Sequence, residues 1–207
     1  MRDTISSYLN ITGLIIPFWL ILGVIITSNF YPGYSHFHYA MSQLGASGSP
    51  TEFFSRFINN YPLGVLFIAF GIGVIKTLSE SRLSEFSGFL LIAHGIGSIG
   101  AGYFPCDAGC NPSDPSFNQN MHNLFGLIMA LSLLIANAIW IYLSHRLLNK
   151  KWFTLFSLAC CFIAIAALPA MGMAIEKGEG FGLYQRINYG ISVIWVSVLA
   201  FILLKRS

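Results

Sequence analysis

The stretch LNITGLIIPFWLILGVIITS, residues 9–28, runs for twenty residues without a charged side chain. Wound as a helix at about 1.5 Å per residue, it covers roughly the 30 Å of a bilayer's hydrocarbon core. Its apolar part is longer than the roughly 7–15 residues of a secretory signal, and no small-residue cleavage site follows it, so it is expected to be a retained first span. Asn10-Ile11-Thr12 matches a glycosylation sequon, but its place at the inner edge of a span makes the match a coincidence.

Outward from this stretch, further apolar runs lie near 62–79, 86–104, 120–143, 153–174 and 187–204. Only 9% of the 207 residues are charged and 55% are apolar. Soluble domains carry about 25% charged residues, so lipid must cover this surface. The expected fold is therefore all-α: one polytopic transmembrane helix bundle over residues 1–207, with about six spans. A net charge of +3, thinly spread, gives no footprint for nucleic acid. Membrane lipids are the expected partners, and oligomeric state is not readable.

Positive charge sets the expected orientation. Arg2, Lys76, Arg82, Arg146, Lys150, Lys151, Lys205 and Arg206 fall on the side of the termini, against Arg56, Lys177 and Arg186 on the other. By the positive-inside rule both termini are cytoplasmic. The outer loops then become the informative ones. Tyr31 to Asn60 is long enough to carry structure of its own. Ser49-Pro50-Thr51-Glu52 has the form of a capping box with proline at the first helical position. The helix it opens presents Phe53, Phe54, Phe57 and Ile58 on one face, so an interfacial helix is expected before Asn59-Asn60-Tyr61-Pro62 turns the chain inward. Ser116-Phe117-Asn118-Gln119 is a second capping box, opening the fourth span. The third span, with Gly95, Gly97, Gly100 and Gly102, allows close backbone approach and is expected to be central. Gly126 and Ala130 suggest a similar small-residue stripe on the fourth.

Several polar residues are candidates for chemistry. His94 lies well inside a span, where an ionisable group is costly and hence suggests function. The structural alternative is a neutral imidazole holding a serine or carbonyl of a neighbouring helix. Asp107 and His122 flank the connection between the third and fourth spans. A contact between them would make an acid–base pair, the candidate catalytic residues, or a loop link pinning two helix ends. Cys106 and Cys110 are expected to form a disulfide in preference to a metal site, with free thiols a third alternative. No metal ligand set is assigned. Ser42 and Gln43 in the first outer loop, and Arg186 at the start of the last span, complete a candidate ligand-binding set with His94, Asp107 and His122. Arg186 suits a lipid phosphate or a carboxylate, or pairing with Asp107. No cofactor is predicted; a metal stays open, as does haem held by His94 and His122. His36 and His38, two apart, would share a face only on an extended segment.

Met41-Ser42-Gln43-Leu44-Gly45 with Pro50, Gly102-Tyr103-Phe104-Pro105-Cys106-Asp107, His122, and Gly182-Leu183-Tyr184-Gln185-Arg186 resemble a bacterial and archaeal membrane family known as domain of unknown function 998. The Ser-Gln-Leu-Gly…Pro segment is also similar to the eukaryotic Frag1/DRAM/Sfk1 group of multi-span proteins. A bacterial plasma (inner) membrane is the expected location, and neither resemblance implies a reaction. The expected function is binding of a lipid headgroup or small polar ligand at an outer-face site. The alternatives are an intramembrane lipid-modifying enzyme using Asp107 and His122, and a bis-His haem protein.

Overall fold

The computed structural model describes residues 4–79 and 81–206. Arg2, counted in the charge bias, lies outside them. Six helices are each long and apolar enough to cross a membrane: α1 (Thr4–Asn29), α2 (Glu52–Thr77), α3 (Arg82–Tyr103), α4 (Phe117–Arg146), α5 (Lys151–Lys177) and α6 (Phe181–Leu204). The chain is an all-helical, multi-pass integral membrane protein. Helices suit this setting because every interior backbone group is paired within its own segment.

Each helix packs on the next in sequence, and α6 packs back on α1. The bundle is thus a closed ring of six. One end carries the 30–51 loop, the 104–116 loop and the α5–α6 turn; it is called the loop end here, and the opposite one the terminal end. Glycine lets the α2 and α3 backbones approach closely. A β-carbon at Gly95 of α3 would lie 2.5 Å from the Gly64 carbonyl oxygen of α2, and one at Gly64 would lie 2.7 Å from the Gly95 carbonyl. Gly71 and Gly88 repeat this reciprocal arrangement one heptad away, at 2.6 and 2.8 Å. The close approach expected of α3 is therefore present, but α3 is a wall of the ring and not its centre. Gly126 differs too: nothing lies within 4 Å of where its β-carbon would be, and it faces a central space instead of a helix.

The terminal half of the ring is filled. Phe67, Phe70, Trp140, Phe153, Trp195 and Leu199 are fully buried there. Their polar atoms are satisfied, since Trp140 Nε1 donates to Ser87 Oγ (3.1 Å) and Trp195 Nε1 to Ser157 Oγ (3.0 Å).

The interfacial helix does not form as a separate element. Glu52–Ser55 runs into a π-helical segment, Arg56–Asn60, and on into Tyr61–Thr77 with helical dihedrals throughout. Asn59-Asn60-Tyr61-Pro62 bulges the helix without turning it. The π turn closes from Tyr61 N–H to the Arg56 carbonyl. Pro62 brings no N–H to the Ile58 carbonyl four residues earlier, and Trp19 Nε1 of α1 donates to it instead (2.8 Å). Ser49 does not cap either: Ser49 and Thr51 hydroxyls both donate to the Leu44 carbonyl, while Glu52 accepts from Gly48 N–H. Ser116 is the N-cap of α4, accepting from Gln119 N–H (3.1 Å).

Candidate functional site

The loop half of the ring encloses a cavity of about 320 Å³. All six helices line it, together with Met41 and Ser42 of the first loop. His122 lies near its loop end and Leu133 near its floor, eleven residues along α4, a depth of roughly 16 Å. Its walls are mainly apolar, with neutral polar groups set among them: Asn60, Ser98, His122, Gln185, Asn188 and Tyr189. No Asp, Glu, Lys or Arg is among the lining residues.

His94 forms part of the floor. It is completely buried, packed against Phe67 and stacked on Tyr189. Its Nδ1 lies 2.9 Å from the Met129 carbonyl and its Nε2 3.0 Å from the Tyr189 hydroxyl. A carbonyl only accepts, so Nδ1 carries the proton, and in the neutral ring Nε2 accepts from Tyr189. His94 thereby ties α3, α4 and α6 together at mid-span. Ser98 Oγ donates to the Asn60 carbonyl (2.8 Å), fastening α3 to the π turn of α2.

His122 has a comparable tautomer argument. Its Nδ1 sits 3.0 Å from the Ala101 carbonyl and 2.9 Å from that of Phe104. Both are carbonyls at the end of α3, left open where the helix stops. Nδ1–H therefore closes the end of α3, and Nε2 has no hydrogen-bond partner among the described residues.

The other expected site residues are placed elsewhere. Asp107 does not meet His122 or Arg186. Its carboxylate accepts from Ser116 Oγ (2.5 Å) and Ser116 N–H (2.9 Å), at the start of α4. These two bonds, the hydroxyl's first, hold the Asp107 pKa below its ordinary value. Gln119 Oε1 in turn accepts from Asp107 N–H (2.9 Å). Arg186 donates to the Tyr39 and Gly182 carbonyls and to the Tyr34 hydroxyl, with His36 Nδ1 at 3.2 Å. Burial first, and the Arg186 cation second, lower the His36 pKa. Burial raises that of Tyr34, outweighing Arg186. Gln43 donates to the Gly109 carbonyl (2.8 Å).

The proposed common site of Ser42, Asp107, His122 and Arg186 is thus not assembled. Asp107, Gln43 and Arg186 lie outside the cavity lining, whereas Ser42, His94 and His122 belong to it. Length and charge placed these residues at one end, but helix rotation decides which of them face inward, and the spacing left that open. The Asp107–His122 catalytic pair has no geometry to support it. The bis-His haem arrangement does not fit either, because His94 uses both ring nitrogens within the fold. Among the described residues no three His, Cys, Asp or Glu side chains gather as a metal-ligand set.

Arg186, Gln185 and the Cys106–Cys110 loop instead secure the first loop as a roof. Met41 N–H donates to Gln185 Oε1 (2.7 Å). Gly182 and Leu183 N–H at the start of α6 donate to the His38 and Phe37 carbonyls. On the other side Ser47 N–H donates to the Cys106 carbonyl (2.8 Å). Cys106 and Cys110 are joined as a disulfide with their Cα atoms 5.0 Å apart, and Gly109 and Cys110 both take positive φ in that turn.

Tyr189, Asn188 and Asn60 also line the cavity and are not among the residues expected at the site. Asn188-Tyr189 is a polar pair inside the sixth apolar run, the same signal that singles out His94, and Asn60 lies in a stretch whose composition signals a turn.

Searches among curated proteins and among solved structures gave no match. One family model, described as a protein of unknown function, matches residues 14–202. The match covers the ring, its roof and the cavity between them, and the chain belongs to the DUF998 family.

Proposed function

We propose that this protein holds an uncharged amphipathic lipid in the cavity inside its ring. The observation that carries this reading is the lining: apolar walls with neutral hydrogen-bonding groups and no formal charge. A buried ionic headgroup needs a countercharge, and none lines this space, so the phosphate contact considered for Arg186 gives way to a neutral polar end. Pockets of this kind orient a ligand with few polar contacts and gain affinity from apolar burial.

The ligand's route is lateral. Met41 and Ser42 cover the loop end, and the aromatic core fills the terminal end. The lining reaches Leu131 of α4 and Leu168 of α5, each 47% exposed. Leu131 belongs to the exposed stripe Leu124, Leu127, Leu131 and Ile135 on α4. An opening between α4 and α5 would admit a lipid from the bilayer without passage through water.

The positive-inside rule puts the terminal end in the cytoplasm: Lys76, Arg82, Arg146, Lys150, Lys151, Lys205 and Arg206 lie there. A disulfide at the loop end agrees with an oxidising outer face. With the family's prokaryotic range, the plasma membrane is the inferred location.

The test is mass spectrometry of organic extracts from wild type and Gly126→Phe, a variant that fills the cavity. Wild type should retain a neutral lipid at near-stoichiometric amount, and the variant should lose it while folding normally. Equal recovery of all lipids from both proteins would defeat the proposal.

A further inference from the structure

The hydrogen-bond inventory of the cavity is unbalanced. Besides Asn59 Oδ1, which is buried against Gly23 of α1 while Nδ2 donates to the Thr27 and Ser55 hydroxyls, three acceptors are held in place by bonds made on the other side of the same group. His122 Nε2 is fixed by Nδ1–H on the Ala101 and Phe104 carbonyls. Asn188 Oδ1 is fixed because Nδ2 donates to the Ala164 carbonyl of α5 (2.7 Å). The Tyr189 oxygen keeps a lone pair after its proton is given to His94 Nε2. The one donor fixed in the same way is Gln185 Nε2, whose Oε1 is taken by Met41 N–H. Asn60 and Ser42 are adaptable, since their side chains make no hydrogen bond among the described residues.

We infer that the polar end of the ligand is a hydrogen-bond donor, a lipid hydroxyl, seated on His122 Nε2. This rests on the cavity being a lipid site and specifies which neutral lipids it takes. A long-chain alcohol or an acylglycerol with a free hydroxyl donates to His122, and its oxygen can accept from the Asn60 amide or the Ser42 hydroxyl. A ketone, quinone, ether or fully esterified glycerol sets acceptor against acceptor at His122. It leaves both unpaired in an apolar site, which is disfavoured. The position under the roof also suits an alcohol, because the tail then extends along the apolar walls toward the opening between α4 and α5.

His122 would be a binding residue whose other nitrogen is structural, so its test must separate the two. His122→Asn does so. The asparagine Nδ2 occupies much the place of the histidine Nδ1 and can still donate to Ala101 and Phe104, while the acceptor that remains, Oδ1, is set one bond back from the Nε2 position and out of reach of a hydroxyl seated there.

The probes are 1-tetradecanol and its methyl ether, added to delipidated full-length protein in detergent, with binding read by native mass spectrometry and by thermal shift. Wild type should bind the alcohol about tenfold more tightly than the ether, the ratio expected for one well-made hydrogen bond. In His122→Asn the two should bind alike. Equal binding of alcohol and ether to wild type would overturn the inference while leaving the lipid site standing, as would an alcohol preference that persists in His122→Asn. The wild-type comparison needs no variant, so it decides the matter even if His122→Asn fails to fold. Absence of binding by both probes would overturn this inference and the lipid site together.

Discussion

Asp107 acts on α4 through its charge as well as its hydrogen bonds. Its carboxylate rests against Ser116 at the helix N-terminus, where the helix dipole favours an anion. The folded-state pKa is lowered, by the Ser116 hydroxyl first and its N–H second. Sign follows from linkage: this stabilisation is fully present above the ordinary carboxylate value of 3.8 and is lost as pH falls through the lower folded value. Asp107→Asn should lower Tm at neutral pH, and the gap to wild type should close as pH falls below about 4. A gap that stays constant with pH would refute this role. The same residue marks the limit of sequence reading. That Asp107 and His122 share an end follows from the spans, but their true partners, Ser116 N–H and two α3 carbonyls, include backbone groups that leave no trace in residue type. His94 was conspicuous for the opposite reason, as a polar ring amid apolar neighbours. Its carbonyl partner on Met129 was again invisible.

Among the elements, the α2–α3 pair depends most on glycine. Gly95→Val would drive a side chain into the Gly64 carbonyl and the Ile68 side chain. The neighbour is backbone and cannot yield cheaply, so destabilisation of about 1–3 kcal/mol is expected. Gly126→Ala is the control: its β-carbon meets nothing, and alanine favours the helix by up to about 1 kcal/mol. Thermal unfolding in detergent should rank Gly126→Ala at or above wild type and Gly95→Val clearly below. The reverse order would contradict the packing described. Glycine on α3 announced close approach in the sequence. What it did not announce was the partner, nor that Gly126 faces a void, since one small residue serves both purposes. The continuous α2 was also obscured, because Asn-Asn-Tyr-Pro carries strong turn signals. Those signals were overridden by Trp19 and Ser98, which take up the carbonyls of Ile58 and Asn60.

For the whole molecule, the number of spans was legible from hydropathy and the ring was not. Where α6 closes on α1, Gly13 meets Ala200, a contact between residues far apart in sequence. Orientation has its own check. A cysteine placed at Ser113, on the loop end, should react with an impermeant maleimide in intact cells, and one at Lys150 only after permeabilisation. The opposite pattern would invert the topology. Occupancy of the cavity by lipid is tested most directly by an experimental density map of the protein in native lipid nanodiscs. Elongated density is expected inside the ring, its polar end within hydrogen-bond reach of His122 Nε2 and its tail directed between Leu131 and Leu168. A collapsed ring, or a cavity holding only water with lipid confined to the outer surface, would contradict it.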